Sequence, residues 1–337
     1  KFLLKEHFLN FKDLLFCINH LSRKKKFYKK YLKYNKIDCS SIIYKEIKYN
    51  LDYNSIFISL SNYLFSEKLK QNKIDIKKII NWFENQSVDK GWNYGFRLNY
   101  KKAEQIGYQA MTNAPMYHSL CPTSYEYKLK LIPKKIAVIN KSLINERSKF
   151  IKKKNVFILS PALRSQDLFQ IKIKSKKKYK IVVFLEGNKL ETDINLLKKF
   201  SYVAKQLPSL KIYVKKHPRL NFSKNIIDLP DNIEFLENKF SYLASNSKIS
   251  ACSGASTTVL ESLSYGCQLI VPIDNGYDKQ ILKNLKISND IFRICENKFQ
   301  LLKAVNYFLS KKGKFRNVKI SNLFEKINKK NIKIFIN

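Results

Sequence analysis

The chain has no CxxC pair, and its six cysteines, Cys17, Cys39, Cys121, Cys252, Cys267 and Cys295, are scattered along 337 residues. That scatter excludes a zinc ribbon and a disulfide scaffold, and it points to a reducing, cytoplasmic compartment. Its four histidines, His7, His20, His118 and His217, lack metal-ligand spacing and no DxD pair occurs, so no metal site is expected. GxGxxG and Walker patterns are also missing, which argues against dinucleotide oxidoreductases and P-loop enzymes. No apolar run of about 18 residues is available to span a bilayer. Acidic residues are few: 26 Asp and Glu face 65 Lys and Arg, for a formal charge of +39. This favours anionic partners, either nucleic acid or the inner face of an anionic membrane, and the runs Arg23 to Lys26, Lys152 to Lys154 and Lys176 to Lys178 are candidate contacts. With no zinc-finger spacing, RNP-like strand or Gly-rich RNA clamp, specific nucleic-acid binding is not expected. Lysine spread together with Ile and Asn is also what AT-rich coding produces. No signal-peptide pattern opens the chain, and its start at Lys1 is that expected of a domain or a trimmed product.

What is present suits folding. A hydrophobic content of 45% with 13% aromatics excludes disorder, and the length suits two domains, expected at 1–154 and 155–337. In the first, Leu4, Phe8, Phe11, Leu15 and Ile18 form one stripe of a helix over Lys1 to Leu21, expected to cover a core, with a membrane-surface helix as the alternative reading. SIFISLSNYLF, IINWFEN, QIGYQAM and PKKIAVIN read as strands or buried segments of an α/β domain. From Asn155 onward the alternation is cleaner. VFILS, KIVVFLEGN, LKIYVKKHP, NIEFLEN, KISACSG and CQLIVP read as strands. INLLKKFSYVAKQL, FSYLASN, STTVLESLSYG and FQLLKAVNYFLSK read as helices. Strands alternating with such helices demand parallel pairing through right-handed crossovers, a doubly wound Rossmann-like domain.

Ligands bind such sheets at the carboxyl ends of the strands, where Glu186-Gly187, His217-Pro218 and Ser253-Gly254 all fall. In the segment Ser250 to Pro272 a strand runs into a Ser-Gly-Ala-Ser-Thr-Thr loop and a helix that Gly266 ends. Unpaired N–H groups at the start of that helix, with the hydroxyls of Ser253, Ser256, Thr257 and Thr258, suit a phosphate. His217, fixed by Pro218 and flanked by Lys215, Lys216 and Arg219, suits a phosphate oxygen as donor or acid. Gly187 allows close backbone approach to a ligand. Glu261, inside the helix, reads either as a ribose contact or as a structural carboxylate.

A second dense segment, Trp82 to Arg97, packs both tryptophans, Gly91, Gly95, Glu84, Asp89 and an arginine into sixteen positions after a strand, with Asp89 expected in a loop. Aromatic rings beside carboxylates suit a sugar-binding cleft, with Gly107-Tyr108-Gln109 and Pro122 to Glu126 expected to line it too.

On these residues the chain resembles the GT-B glycosyltransferases of bacterial surface-polysaccharide assembly, and within them the sialyltransferases and Kdo transferases that use CMP-activated sugars. Those families carry an acidic-acidic-Gly motif, a His-Pro motif and a Ser/Thr motif. Asp89-Lys90-Gly91, His217-Pro218 and Ser256-Thr257 match them in order, except that Lys90 stands at the second acidic position. The resemblance implies an α/β, GT-B-like fold of two Rossmann-like domains facing across a cleft. It also implies metal-independent transfer of Kdo or a sialic acid from a CMP-sugar to a glycan or lipid-linked glycan acceptor, with no cofactor. His217 and the Ser/Thr loop would hold the CMP phosphate, and Asp89 or Glu84 would activate the acceptor or form a sugar adduct. Such an enzyme is expected in the cytoplasm, with the inner face of the membrane as a candidate site. A UDP-sugar transferase or epimerase, a CDP-polyol phosphotransferase and a non-catalytic basic docking module are the alternative readings.

Overall fold

The structure is a computed structural model that describes residues 3–24, 33–34, 36–49, 52–110, 118–187, 190–218, 227–253, 257–274, 287–311, 318 and 320–336. The chain forms two compact units. One comprises Lys1–Gln109, His118–Val138 and Ser142–Leu159, and the other Ala110–Tyr117, Ile139–Lys141 and Ser160–Asn337.

The first unit opens with α1 (Phe11–Ile18) and α2 (His20–Lys24), a two-stranded antiparallel pair β1 (Lys33–Tyr34) and β2 (Ile37–Asp38), and helices α3 (Ser40–Tyr49) and α4 (Tyr53–Gln71). Its main sheet is parallel, in the order β3 (Lys78–Trp82), β4 (Glu104–Gln109), β5 (Lys135–Val138), β6 (Phe157–Leu159). Helices α5 (Ser87–Asn99), α6 (Ser124–Lys128) and α7 (Lys141–Arg147) lie between successive strands in the chain. The segment SIFISLSNYLF is helical, contrary to the strand reading. Asp52 caps α4 by accepting the Asn54 N–H at 3.0 Å, and Ser61, Leu64, Phe65 and Leu69 recur at helical spacing on its buried face. Phe65 and Leu69 pack with Ile79, Phe96, Tyr100 and Ala103 as the local core.

The N-terminal helix also departs from expectation. It is cut to α1 by a capping box at Asn10 and a C-cap at Asn19, and it buries only Cys17. Phe11, Leu15 and Ile18, expected to cover a core, face solvent.

The second unit holds a six-stranded parallel sheet: β7 (Tyr179–Phe184), β8 (Ile212–Lys215), β9 (Ile233–Leu236), β10 (Ser247–Cys252), β11 (Gln268–Pro272) and β12 (Phe292–Cys295). Their spatial order is β12-β11-β10-β7-β8-β9. Helices α8 (Leu190–Gln206), α9 (Phe240–Asn246), α10 (Thr257–Ser264) and α11 (Lys298–Ser310) connect or flank them, and α12 (Lys329–Ile336) ends the chain. Ile181, Val183, Ile212, Val214, Ile249 and Ala251 on the strands bury against Leu197, Phe200 and Phe308 of α8 and α11. Strands this apolar on consecutive positions are those of a sheet covered on both faces. The edge strand β12, only four residues long, has no counterpart among the expected strands.

Candidate functional site

The strand order places a reversal between β7 and β10. From β7 the chain winds outward through β8 and β9, then returns to the other side of β7 and winds through β10, β11 and β12. At such a switch point the loops leaving adjacent strands part in opposite directions and open a crevice beyond the carboxyl ends. Register fixes which residues stand there. Cys252 pairs with Phe184, and Phe184 with Lys215. The turns at Ser253, Glu186-Gly187 and His217-Pro218 therefore leave three neighbouring strands at one level, with about 4.8 Å between strands.

Two of the expected site residues are in direct contact. Gly187 has φ +69°, and a Cβ placed on it would stand 2.6 Å from Cβ, Cγ and Nδ1 of His217. The glycine is thus needed twice, for its left-handed backbone and for the ring that lies against it. The close approach the structure shows is to the imidazole. The turn is held from below by Asp193, on the first turn of α8. This fully buried carboxylate accepts the Glu186 N–H through Oδ1 and the Gly187 N–H through Oδ2, both at 2.9 Å. Asp193 was missed from sequence; an acidic residue in the first turn of the helix after a glycine turn was the available signal. His217 is half-buried, and Pro218 beyond it is exposed.

The flanking cations are engaged elsewhere. Lys215 Nζ donates to the Glu237 carbonyl at 3.3 Å, and Lys215 and Lys216 each stand 3.8 Å from the Glu237 carboxylate. Across the switch point, Ser253 is buried and its Oγ makes no hydrogen bond among the described residues. Thr257 opens α10 with its side chain exposed, so its hydroxyl and the helix N-terminus face the same solvent-accessible end. Gly266 ends α10 as expected, at φ +73°, with the Gly266 and Cys267 amides donating to the carbonyls of Leu263 and Ser262. Burial pushes the Glu261 carboxyl above its ordinary range, and the nearby Arg164 opposes this in part. Arg219, Gly254 and Ser256 lie outside the described residues.

In the first unit the dense segment Trp82 to Arg97 is mostly helix. Asp89, expected in a loop, occupies the first turn of α5. Its Oδ2 accepts the Gln86 N–H at 3.0 Å and the Glu84 N–H at 3.1 Å, so it caps the helix. Burial raises its pKa, and Glu84 adds to this, whereas the two backbone hydrogen bonds and Lys90 work against it. Glu84 is bound through both oxygens, by Trp82 Nε1 and Gln86 Nε2, each at 2.7 Å. Lys90, at the position where the related motif is acidic, forms an ion pair with Glu126 and also reaches Asn85, whose φ is +59°. Burial alone would raise the Glu126 pKa, but its hydrogen bonds to Lys90 and Thr123 hold it below the ordinary value. The segment around Glu126 is thereby joined to the α5 cluster.

The two tryptophans part company. Trp92 packs with Phe96, centroids 4.4 Å apart, and against the Phe65 core. Trp82 is exposed beside Glu84, edge-on to Tyr108. Gly91 and Gly95 serve helix packing, since a Cβ on either would collide with Ser59 or with Ser66 and Tyr63 of α4. Gln109 is buried and accepts from Arg147 at 2.7 Å, so it belongs to the core of the unit and lines no surface.

No family model and no curated protein matches this sequence. Similar solved structures do exist. The UDP-GlcNAc 2-epimerase from Neisseria meningitidis bound to UDP-GlcNAc is 15% identical, with 94% of this chain and 86% of that chain covered and a TM-score of 0.53. The S. aureus MnaA-UDP co-structure is 13% identical, with 77% and 74% covered and a TM-score of 0.50. The GtfA/B complex is 13% identical at a TM-score of 0.48, and this chain, matched over 76% of itself, spans 54% of that one. The fold is GT-B-like, built of two parallel-sheet α/β domains.

Proposed function

We propose that the protein is a glycosyltransferase that takes its nucleotide-sugar donor at the β7/β10 switch point, and that the donor is a CMP-activated acidic sugar. The observation that carries the reading is His217 seated on the Gly187 turn, at the level of the Ser253 loop that leads into α10. A half-buried imidazole held against a fixed turn is a donor aimed at one place, and the N-terminus of α10 offers amide dipoles and a hydroxyl on the other flank. Between them a phosphate would be held without recruiting Lys215 or Lys216.

In the transfer, an acceptor hydroxyl oxygen bonds to the anomeric carbon as the bond from that carbon to the phosphate oxygen breaks. CMP leaves with both electrons of that bond, and His217 donates a hydrogen bond or proton to the departing phosphate. The acceptor proton passes to a carboxylate. Asp89 is the candidate, since its Oδ2 is committed to the helix cap whereas its Oδ1 accepts no hydrogen bond among the described residues.

A second reading, a UDP-sugar enzyme such as an epimerase, is favoured by the UDP-GlcNAc and UDP held in the two similar structures. Titration calorimetry of the full chain with CMP, CDP and UDP, repeated on His217→Ala, tests both. CMP is expected to bind tightest and to lose about tenfold or more in the variant. UDP binding without CMP binding, with isomerisation of a UDP-sugar in the absence of acceptor, would replace transfer by epimerisation. Affinity for no nucleotide would end both readings.

A further inference from the structure

We infer that α1 is a docking surface for an anionic lipid bilayer. The helix is fastened to the first unit by its polar side. Asp13 pairs with Lys68 of α4 at 3.3 Å, and buried Cys17 is its inward-facing residue. Just before the helix, Lys5 donates to Asn62 of α4 at 3.0 Å, and just after it the His20 ring stacks on Tyr53 with centroids 4.8 Å apart. These contacts leave the apolar stripe turned outward. Phe11 is 72% exposed, and Leu14, Leu15 and Ile18, which follow at i+3, i+4 and i+7, are 37%, 39% and 46% exposed. Leu3 and Leu4, ahead of the helix in the chain, are exposed as well. Phe16 is capped by the Arg23 guanidinium, 4.0 Å above its ring, so a cation stands at the rim. A helix that holds its unit through Asp13 and Cys17 and turns its apolar stripe to solvent is the reverse of a core-covering helix, and it needs an apolar phase outside the unit.

Charge selects the occupant. Of the first 34 residues ten are Lys or Arg and two are acidic, Glu6 and Asp13, and Asp13 is already paired. Such a segment is drawn to a surface of negative headgroups while its leucines and phenylalanine enter the acyl boundary. A second copy of the chain fits poorly: each carries a formal +39, and a stable protein interface needs about 20–30 residues per side, where this patch offers a handful. Among the described residues no helix is long and apolar enough to cross a membrane, so the contact is one of lying on the surface.

Co-sedimentation of the full chain with vesicles of phosphatidylcholine containing phosphatidylglycerol, against pure phosphatidylcholine, tests the inference, with the double variant Phe11→Ser, Leu15→Ser beside the wild type. Binding to the anionic vesicles is expected, weakened about tenfold or more in the variant, because each lost side chain removes a buried apolar group. Both positions are exposed, so far-UV circular dichroism and the melting temperature should not move. A Phe11→Trp protein provides a readout free of any loss of folding: its added fluorescence should be quenched by vesicles of brominated lipid. Absence of binding to anionic vesicles, equal binding by the double variant, or no quenching of the fluorescence added by Phe11→Trp would each overturn the inference. So would a wild-type dimer in sedimentation velocity that the double variant loses, since the stripe would then be covered by a second copy.

Discussion

Adding one methyl group at Gly187 probes how the donor site is built. At φ +69° an L-residue pays about 1–2 kcal/mol for its left-handed backbone, and the new Cβ would also stand 2.6 Å from three atoms of His217. Carbon contacts settle near about 3.5 Å, so the ring must retreat by about 1 Å. It cannot do so cheaply, because Cβ and Cγ lie at the root of the side chain. The turn cannot yield instead, since Asp193 grips both of its amides. Gly187→Ala should therefore lose at least about 1–2 kcal/mol of stability, the backbone cost alone, read as a fall in melting temperature of roughly 2–8 °C or more. It should also cost about a hundredfold in turnover, the usual consequence of a catalytic group misplaced by about 1 Å. Asp193→Asn is the companion. It keeps the shape but turns one acceptor into an N–H donor facing a backbone N–H, so it should lower turnover. Differential scanning fluorimetry and initial rates with a CMP-sugar donor read both effects. If Gly187→Ala keeps wild-type turnover, the turn does not position His217 and the donor site has been drawn around the wrong contact.

Much of the second unit was legible because its strands are short apolar runs closed by polar turns, and because one residue in each turn, Gly187, His217 or Ser253, stood out in type. What joins them was not legible. Asp193 after a glycine turn marks a helix start, but the string DINLL does not reveal that its carboxylate reaches back to the amides of Glu186 and Gly187, since a carboxylate in a first helical turn usually needs no partner beyond the dipole. In the first unit, Ile56, Ile58 and Leu60 alternate as a strand would, and the deciding facts were the Asp52 cap and the length of the run. The stripe of α1 was visible as a period, but a period does not say which way a face is turned. That depended on Lys68 and Asn62, some fifty residues further along the chain, which hold the helix by its polar side. The expectation of a loop at Asp89 fails for a related reason: the backbones of Ser59 and Tyr63, distant in the sequence, are what require the small Gly91 and Gly95 inside α5.

Gly266→Ala should lower the melting temperature by an amount like that of Gly187→Ala, because its φ is +73° and its Cβ would meet Ile173 at 2.8 Å, yet nucleotide affinity of the folded protein should hold; an unchanged melting curve would refute the cap. Thr257→Ala removes an exposed hydroxyl and should leave stability alone while weakening CMP about tenfold by calorimetry; full affinity would take α10 out of the donor site. Asp89→Asn separates fold from chemistry. The asparagine carbonyl can still accept both amides that Oδ2 now holds, so the cap survives. Burial raises the Asp89 pKa, so its stabilising contribution is fully present below the unfolded value of about 3.9 and is lost as pH rises through the folded one. Near neutral pH the variant should then melt close to wild type. As a base, Asp89 must be ionised, so wild-type kcat/KM should fall with acid on a limb lying above the ordinary carboxylate value, and that limb should vanish in the variant together with at least about a hundredfold of the rate. Donor affinity should be kept, since CMP is assigned to the other unit. If Asp89→Asn turns over normally and Glu84→Gln does not, the acceptor proton goes to Glu84, and the hydrogen bonds from Trp82 and Gln86 would then be what orients the base.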